Sequence, residues 1–322
     1  MQAQLIALDW GTTSLRAYAL GEDGVVLGER TLERGIMQLP SGPEGFDHVL
    51  EEACGDWLNR ANVPIIACGM VGSAQGWREV PYCATPARVE HVSAGMLTVR
   101  SRGGRDVHLV PGVMQHSRLP NVMRGEETQV FGLLQDLPNE VAAQPLLIGL
   151  PGSHSKWVQV EGGSIQSFDT FMTGELYAAV CKHTILGRTQ QPSEQFQQDA
   201  FDRAVGVVQS REGRLGLLSN LFSARTLGLT GQLTAEQQPD YVSGLMIGHE
   251  LAALADSLRA GQPAAALPEI FLIGTDPLCE RYRRALQQLG FAQVSLARRA
   301  TERGLWSLAL AARFVTPSTQ EV

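Results

Sequence analysis

The sequence predicts a mixed α/β protein of two lobes around a cleft, and three observations lead there. The chain has 322 residues, a length that suits two cores at roughly 100–200 residues per domain. Apolar runs of strand length alternate with stretches of helical spacing from one end to the other. In each half, a buried run, a turn rich in Gly, Ser and Thr, and a second extended run follow one another, which suggests an architectural duplication.

The elements read as follows. Gln4–Asp9 is an apolar strand, Leu15–Leu20 alternates as a second, and Val25–Arg30 is a third, so the N-terminus is a β-meander. Pro43–Arg60 has helical spacing through Phe46, Val49, Leu50, Ala53, Trp57 and Leu58. Pro64–Gly69 and Val107–Val113 read as further strands, Glu126–Leu137 as a helix, and Pro138–Pro145 as a connector. The lobe boundary is expected there, with an N-terminal lobe over 1–140 and a C-terminal lobe over 141–322. Leu146–Leu150 and Lys156–Val160 open the second half, Ile270–Gly274 is one more strand, and helices fall near 173–187, 194–206, 241–260 and 279–289. A last helix, about 301–315, is expected to pack back on the N-terminal lobe.

Several function classes are disfavoured at once. Lys and Arg number 26 against 33 Asp and Glu, with no basic stripe, so no nucleic-acid partner is expected. The 5 cysteines never form C-x-x-C, which fits reduced thiols and a cytoplasmic protein. No apolar run reaches the ~20 residues of a membrane span, and the N-terminus lacks a signal-peptide pattern. Neither G-x-G-x-x-G nor G-x-x-x-x-G-K-[ST] is present. His48, His91, His108, His116, His183 and His249 show no metal spacing, so no metal site is built from histidine.

The remaining signal lies in turns. In Asp9-Trp-Gly11-Thr12-Thr13-Ser14 an acid ends a buried strand, a glycine permits close backbone approach, and three hydroxyl residues follow. Such a turn can bind phosphate while the carboxylate organises a hydrated Mg²⁺; it can equally be a tight hairpin that satisfies itself. Gly152-Ser153-His154-Ser155-Lys156 is its counterpart, and its lysine is one of only two in the chain. Glu126 and Glu127 open a helix just after a glycine, where one serves as a cap and the other can accept a proton from a substrate hydroxyl. Ser73, Gln75 and Trp77 sit in a Gly-rich loop whose composition suits a polyol.

Taken in order, these segments resemble the sugar-kinase branch of the actin, hexokinase and heat-shock-chaperone ATPase superfamily. Asp9–Ser14 is similar to its first phosphate motif, Gly149–Lys156 to its second, and Leu272-Ile-Gly274-Thr275-Asp276 to its adenosine motif. Gly69–Trp77, Arg124-Gly-Glu-Glu-Thr-Gln129 and Leu150–Trp157 together resemble the 2-dehydro-3-deoxygalactonokinase family. The resemblance spans nearly the whole chain. It implies two ribonuclease-H-like lobes of actin-like ATPase type around a central nucleotide cleft, with ATP and Mg²⁺ bound. It implies transfer of a phosphoryl group from ATP to the 6-hydroxyl of 2-dehydro-3-deoxy-D-galactonate in galactonate catabolism.

On this reading Asp9 acts on Mg²⁺ through water and Glu127 or Glu126 is the base. Gly11, Thr12, Thr13, Ser14, Gly152, Ser153, His154, Ser155, Lys156, Gly274 and Thr275 bind nucleotide. Ser73, Gln75, Trp77 and Arg124 bind the sugar acid, with Arg124 gripping its carboxylate ahead of Arg78 and Arg88. Two departures stand out: Thr275 follows Gly274 where many members carry two or three glycines, and related glucokinases have Asp where this chain has the Glu pair. Another sugar acid as substrate, a non-kinase nucleotide-binding protein, and a homodimer stay open.

Overall fold

The computed structural model describes residues 2–40, 42–59, 63–261 and 268–317. Its first sheet is built on the N-terminal meander: β1 (Leu5–Trp10), β2 (Leu15–Leu20) and β3 (Val26–Leu32). β1 pairs antiparallel with β2 and parallel with β4 (Ile65–Cys68). Both flanks of β1 are therefore covered, and its apolar run is buried almost throughout. β3 alternates half-buried and exposed positions, as expected of an edge. Helix α1 (Pro43–Leu58) starts at Pro43 behind Gly42, whose φ is 99°. It presses Phe46, Val49, Leu50 and Ala53 into the core that Leu8, Trp10 and Ile65 also fill.

The run expected as one strand over Val107–Val113 is two strands in two sheets. β5 (Cys83–Ala84) comes first in the chain, then helix α2 (Val89–Ala94) and β6 (Leu97–Arg100). β7 (Asp106–Leu109) joins the first sheet beside β4 and β6, whereas β8 (Val113–Gln115) pairs with β5 and with β9 (Asn121–Met123). The break falls at Pro111-Gly112. Proline has no N–H to give a ladder, and a Cβ on Gly112 would stand 2.4 Å from the Met123 carbonyl oxygen. Helix α3 (Glu126–Asp136) begins where the sequence places it, and the connector beyond it carries a single helical turn, α4 (Asn139–Ala142).

The second sheet opens with β10 (Leu146–Leu150), buried at every position, and continues through β11 (Ser155–Glu161), β12 (Ser164–Phe171), β13 (Glu269–Ile273) and β14 (Val294–Ala297). Its order is β12-β11-β10-β13-β14, and that of the first sheet is β3-β2-β1-β4-β7-β6. Each sheet thus runs third, second, first, fourth, the ribonuclease-H-like order that a duplicated α/β architecture requires. Helices α5 (Thr173–His183), α6 (Gln198–Val208), α7 (Leu217–Leu221), α8 (Ser223–Leu229), α9 (Gln238–Gly261) and α10 (Asp276–Gln288) follow. α9 packs on α6 at Gly244, where a Cβ would stand 2.4 Å from the Phe201 carbonyl oxygen.

Contacts divide the chain into two compact units. One takes the residues up to Leu146, Val158–Phe168 and those from Ala297 onward; the other takes Leu147–Trp157 and Asp169–Leu296. The closing helix α11 (Ala300–Ala311) belongs to the first unit and packs on α3.

Candidate active site

In the first unit three separate segments converge on Asp9. Gly69 ends β4 with a φ of 90°, and a Cβ there would meet the Trp10 carbonyl oxygen at 2.8 Å and Asp9 Oδ1 at 3.5 Å. Gly125, the residue before α3, would in turn place a Cβ 3.3 Å from Gly69 Cα. Only glycine accepts these left-handed backbones so close together, and the result sets the mouth of the Gly69–Trp77 loop and the first turn of α3 beside Asp9. The Asp9 carboxyl is pushed up mainly by burial; Arg16, its partner on β2, pulls it back, while Glu126 and Glu302 of α11 push it further.

The two acids at the start of α3 are not equivalent. Glu127 is 0% exposed; it accepts from Gly125 N at 2.7 Å and from Thr128 Oγ1 at 3.1 Å. Burial, reinforced by Glu126, raises its pKa to about 8. Glu126 is partly exposed and accepts from Arg124 N at 2.9 Å. The buried acid closes the helix end, whereas Glu126 keeps part of its surface exposed.

The turn after β1 is held from behind. Gly11 N donates to Ser14 O, and Ile36 and Met37 donate to the carbonyls of Gly11 and Thr12. Thr12 and Thr13 are exposed. In the Gly69–Trp77 loop Ser73 is buried and donates to Met70 O at 2.7 Å, Gln75 is exposed, and Trp77 stacks on Phe46 with 5.6 Å between centroids. Trp10 meets Trp77 edge-on and Phe46 at a tilt, and donates its indole N–H to Arg34 O. Arg124 lies 4.3 Å over the Tyr82 ring and donates from Nη2 to Val80 O at 2.8 Å, while its buried Nε and Nη1 have no hydrogen-bond partner.

In the second unit the turn between β10 and β11 meets the turn before α10: a Cβ on Gly274 would lie 3.5 Å from the Pro151 carbonyl oxygen. Gly152 and Ser153 border a cavity of about 370 Å³ whose wall includes Thr173, Tyr177, Arg281 and Tyr282. Thr275 caps α10, its carbonyl accepting from Leu278 N and Cys279 N. His154 and Glu175 form an exposed pair. Ser155 and Lys156 point inward, Ser155 fully buried against the Tyr282 hydroxyl. Sequence reasoning did not find Tyr282, Thr173, Arg281 or Glu302.

Among the described residues no group of three or more His, Cys, Asp and Glu could hold a metal ion, and no helix is long and apolar enough to cross a membrane. A model of the 2-keto-3-deoxy-galactonokinase family matches residues 9–308. The chain belongs to that family. Members of the 2-keto-3-deoxy-galactonokinase family to which it is similar include a Rhizobium meliloti protein named as a probable 2-dehydro-3-deoxygalactonokinase, 36% identical over 88% of this chain and 89% of that one. The 2-dehydro-3-deoxygalactonokinase of Escherichia coli is 34% identical over 90% and 91%. A crystal structure from Sinorhizobium meliloti, of a protein assigned to the same activity, superposes with a TM-score of 0.84 at 34% identity, covering 95% of this chain and 98% of that one. The fold alone is shared with (R)-2-hydroxyglutaryl-CoA dehydratase component A of Acidaminococcus fermentans, at a TM-score of 0.51 and 12% identity over 96% and 98% of the two chains.

Proposed function

We propose that this galactonokinase-family chain transfers the γ-phosphoryl group of ATP to the 6-hydroxyl of 2-dehydro-3-deoxy-D-galactonate, as a cytoplasmic step of galactonate catabolism. The observation that carries the chemical part is the close approach of Gly69 to Asp9 on one side and to Gly125, the neighbour of Glu126, on the other. Glu126 is the group assigned to the hydroxyl, since Glu127 has no surface left to offer a substrate. As the phosphorus–oxygen bond to the acceptor forms and the bond to ADP breaks, the hydroxyl proton passes to Glu126.

Asp9 offers hard carboxylate oxygens, and Mg²⁺ keeps most of its waters and phosphate ligands, so a single protein carboxylate acting through water fits it. The ion supplies charge neutralisation on the phosphates. Phosphate contacts are assigned to Gly11, Thr12, Thr13 and Ser14 in one turn and to Gly152, Ser153 and His154 in the other. Ser155 and Lys156 support the second turn from beneath, and Gly274 and Thr275 are assigned to the adenosine end. Gln75, with Ser73 and Trp77 fixing its loop, is assigned to the sugar. The two unpartnered donors of Arg124 are assigned to the substrate carboxylate, because buried guanidinium N–H groups left unpaired are costly unless a ligand takes them.

ADP release measured with ATP alone and with ATP plus 2-dehydro-3-deoxygalactonate is the test. Release that depends on the sugar acid is expected. Equal rates would make the chain an acceptor-free ATPase, and stimulation by a different sugar acid would reassign the substrate.

A further inference from the structure

A buried chain of hydrogen bonds stands behind the second turn and begins at Ser155. Glu250, only 4% exposed, accepts from Trp157 Nε1 at 2.7 Å and from Tyr282 OH at 2.8 Å. The Thr173 hydroxyl gives it a further hydrogen bond. Tyr282 OH lies 2.9 Å from Ser155 Oγ. Tyr282 donates its single hydroxyl proton to Glu250, so in the Ser155–Tyr282 bond Ser155 must be the donor. The polarity of the whole chain is fixed from its buried end.

The network joins four elements, β11 through Ser155 and Trp157, α5 through Thr173, α9 through Glu250 and α10 through Tyr282. Thr173 and Tyr282 are also walls of the cavity that Gly152 and Ser153 border. Burial pushes the Glu250 carboxyl up, and apolar side chains of the same size would hold these elements together at less expense than a buried acid. What an acid adds is direction: it dictates which way three donors point.

We infer that Glu250 is a positioning residue for nucleoside-polyphosphate binding, fixing the cavity wall through Tyr282 and Thr173 and the backbone of the Gly152–Ser155 turn through Ser155. This rests on the assignment of that turn and cavity to ATP.

The test is calorimetric ADP binding and steady-state kinetics on the full chain as wild type, Glu250→Gln, Tyr282→Phe and the double variant. Glutamine keeps the shape and an acceptor for Trp157 but turns an N–H toward Tyr282, which reverses the chain. Each single variant is expected to weaken ADP and to raise KM for ATP by about tenfold or more, the scale of one hydrogen bond to a charged group. KM for the sugar acid should stay within about twofold, and the double variant should be no worse than the weaker single one, because both break one chain. ADP affinity within twofold of wild type in both single variants overturns the positioning role. So does a parallel loss of both substrates with a fall in Tm, which marks a structural role only. Tyr282→Phe introduces no new polar group and keeps the test decisive if Glu250→Gln does not fold. A wild-type chain that binds no ADP overturns the nucleotide assignment and the positioning role together, whereas normal wild-type binding left intact by the variants overturns the positioning role alone.

Discussion

A Cβ added to Gly304 of α11 would stand 1.8 Å from the carbonyl oxygen of Thr128 in α3. The contact is reciprocal, since a Cβ on Gly132 of α3 would stand 1.8 Å from the carbonyl oxygen of Ala300 in α11. Two glycines therefore set how near the closing helix comes to the helix that carries Glu126 and Glu127. Gly304→Ala must push the helices apart, and a loss of about 1–3 kcal/mol is expected, as for other overpacked cores. Thermal unfolding reads the loss, and kcat should fall with it because the first turn of α3 moves; an unchanged Tm would mean the crossing yields freely.

Asp9→Asn should keep the fold and lose turnover by about 10²-fold or more, the range for removing one positioned charged group from a phosphoryl-transfer site. Since burial and the acids around it already raise the Asp9 pKa, the acid limb of kcat/KM should lie above the usual aspartate range. Turnover near that of wild type would return Asp9 to a purely structural place in the turn.

Glu126→Gln and Glu127→Gln should separate cleanly. The partly exposed Glu126 is expected to lose about 10²–10⁴-fold in kcat, the span attributed to general-base catalysis, with little change in Tm. The buried one should retain measurable turnover. The opposite ranking would transfer the base to Glu127.

Glu127 also makes stability depend on pH. Its folded pKa is about 8 against an unfolded value near 4.5. Between these limits the unfolded chain has released a proton that the folded chain keeps. Stability therefore falls as pH rises through that window and levels off above it. Chemical denaturation of wild type and Glu127→Gln from pH 4 to pH 9 should show the variant gaining relative to wild type as pH rises. Parallel curves would contradict the burial cost.

Arg124→Lys should raise KM for the sugar acid by about tenfold, because lysine cannot reproduce the planar fork or its stacking on Tyr82. KM for ATP should hold. An unchanged KM for the sugar acid would remove Arg124 from the substrate and leave it as the prop for Val80 and Tyr82.

Much of the frame is legible in sequence because burial there is one-dimensional. Leu146–Leu150 is apolar at every position and lies buried at every position, and α3 starts after the one residue, Gly125, that can take a φ of 110°. β12 went unread because Ser164–Phe171 mixes polar and apolar residues without a clear alternation, being partly buried on both faces. The convergence of Gly69, Gly125 and Asp9 is likewise a property of three dimensions. Ser155 shows the same limit most sharply, since a serine in a glycine-rich turn reads as a surface donor. Its partner, Tyr282, lies 127 positions further on, and no local pattern reveals which way a hydroxyl will face.

The stacking of Trp77 on Phe46, with Trp10 beside them, has an optical corollary. Of the 5 tryptophans, Trp10, Trp157 and Trp306 are buried, whereas Trp77 and Trp57 reach solvent in part. Trp77 is anchored in the same loop as Ser73 and Gln75, so any ligand that rearranges this loop alters the ring's overlap with Phe46 and its hydration. The protein carries its own fluorophore in the Gly69–Trp77 loop, and its emission maximum is expected to shift with any ligand that moves that loop, readable in a stopped-flow cell on the timescale of a single turnover.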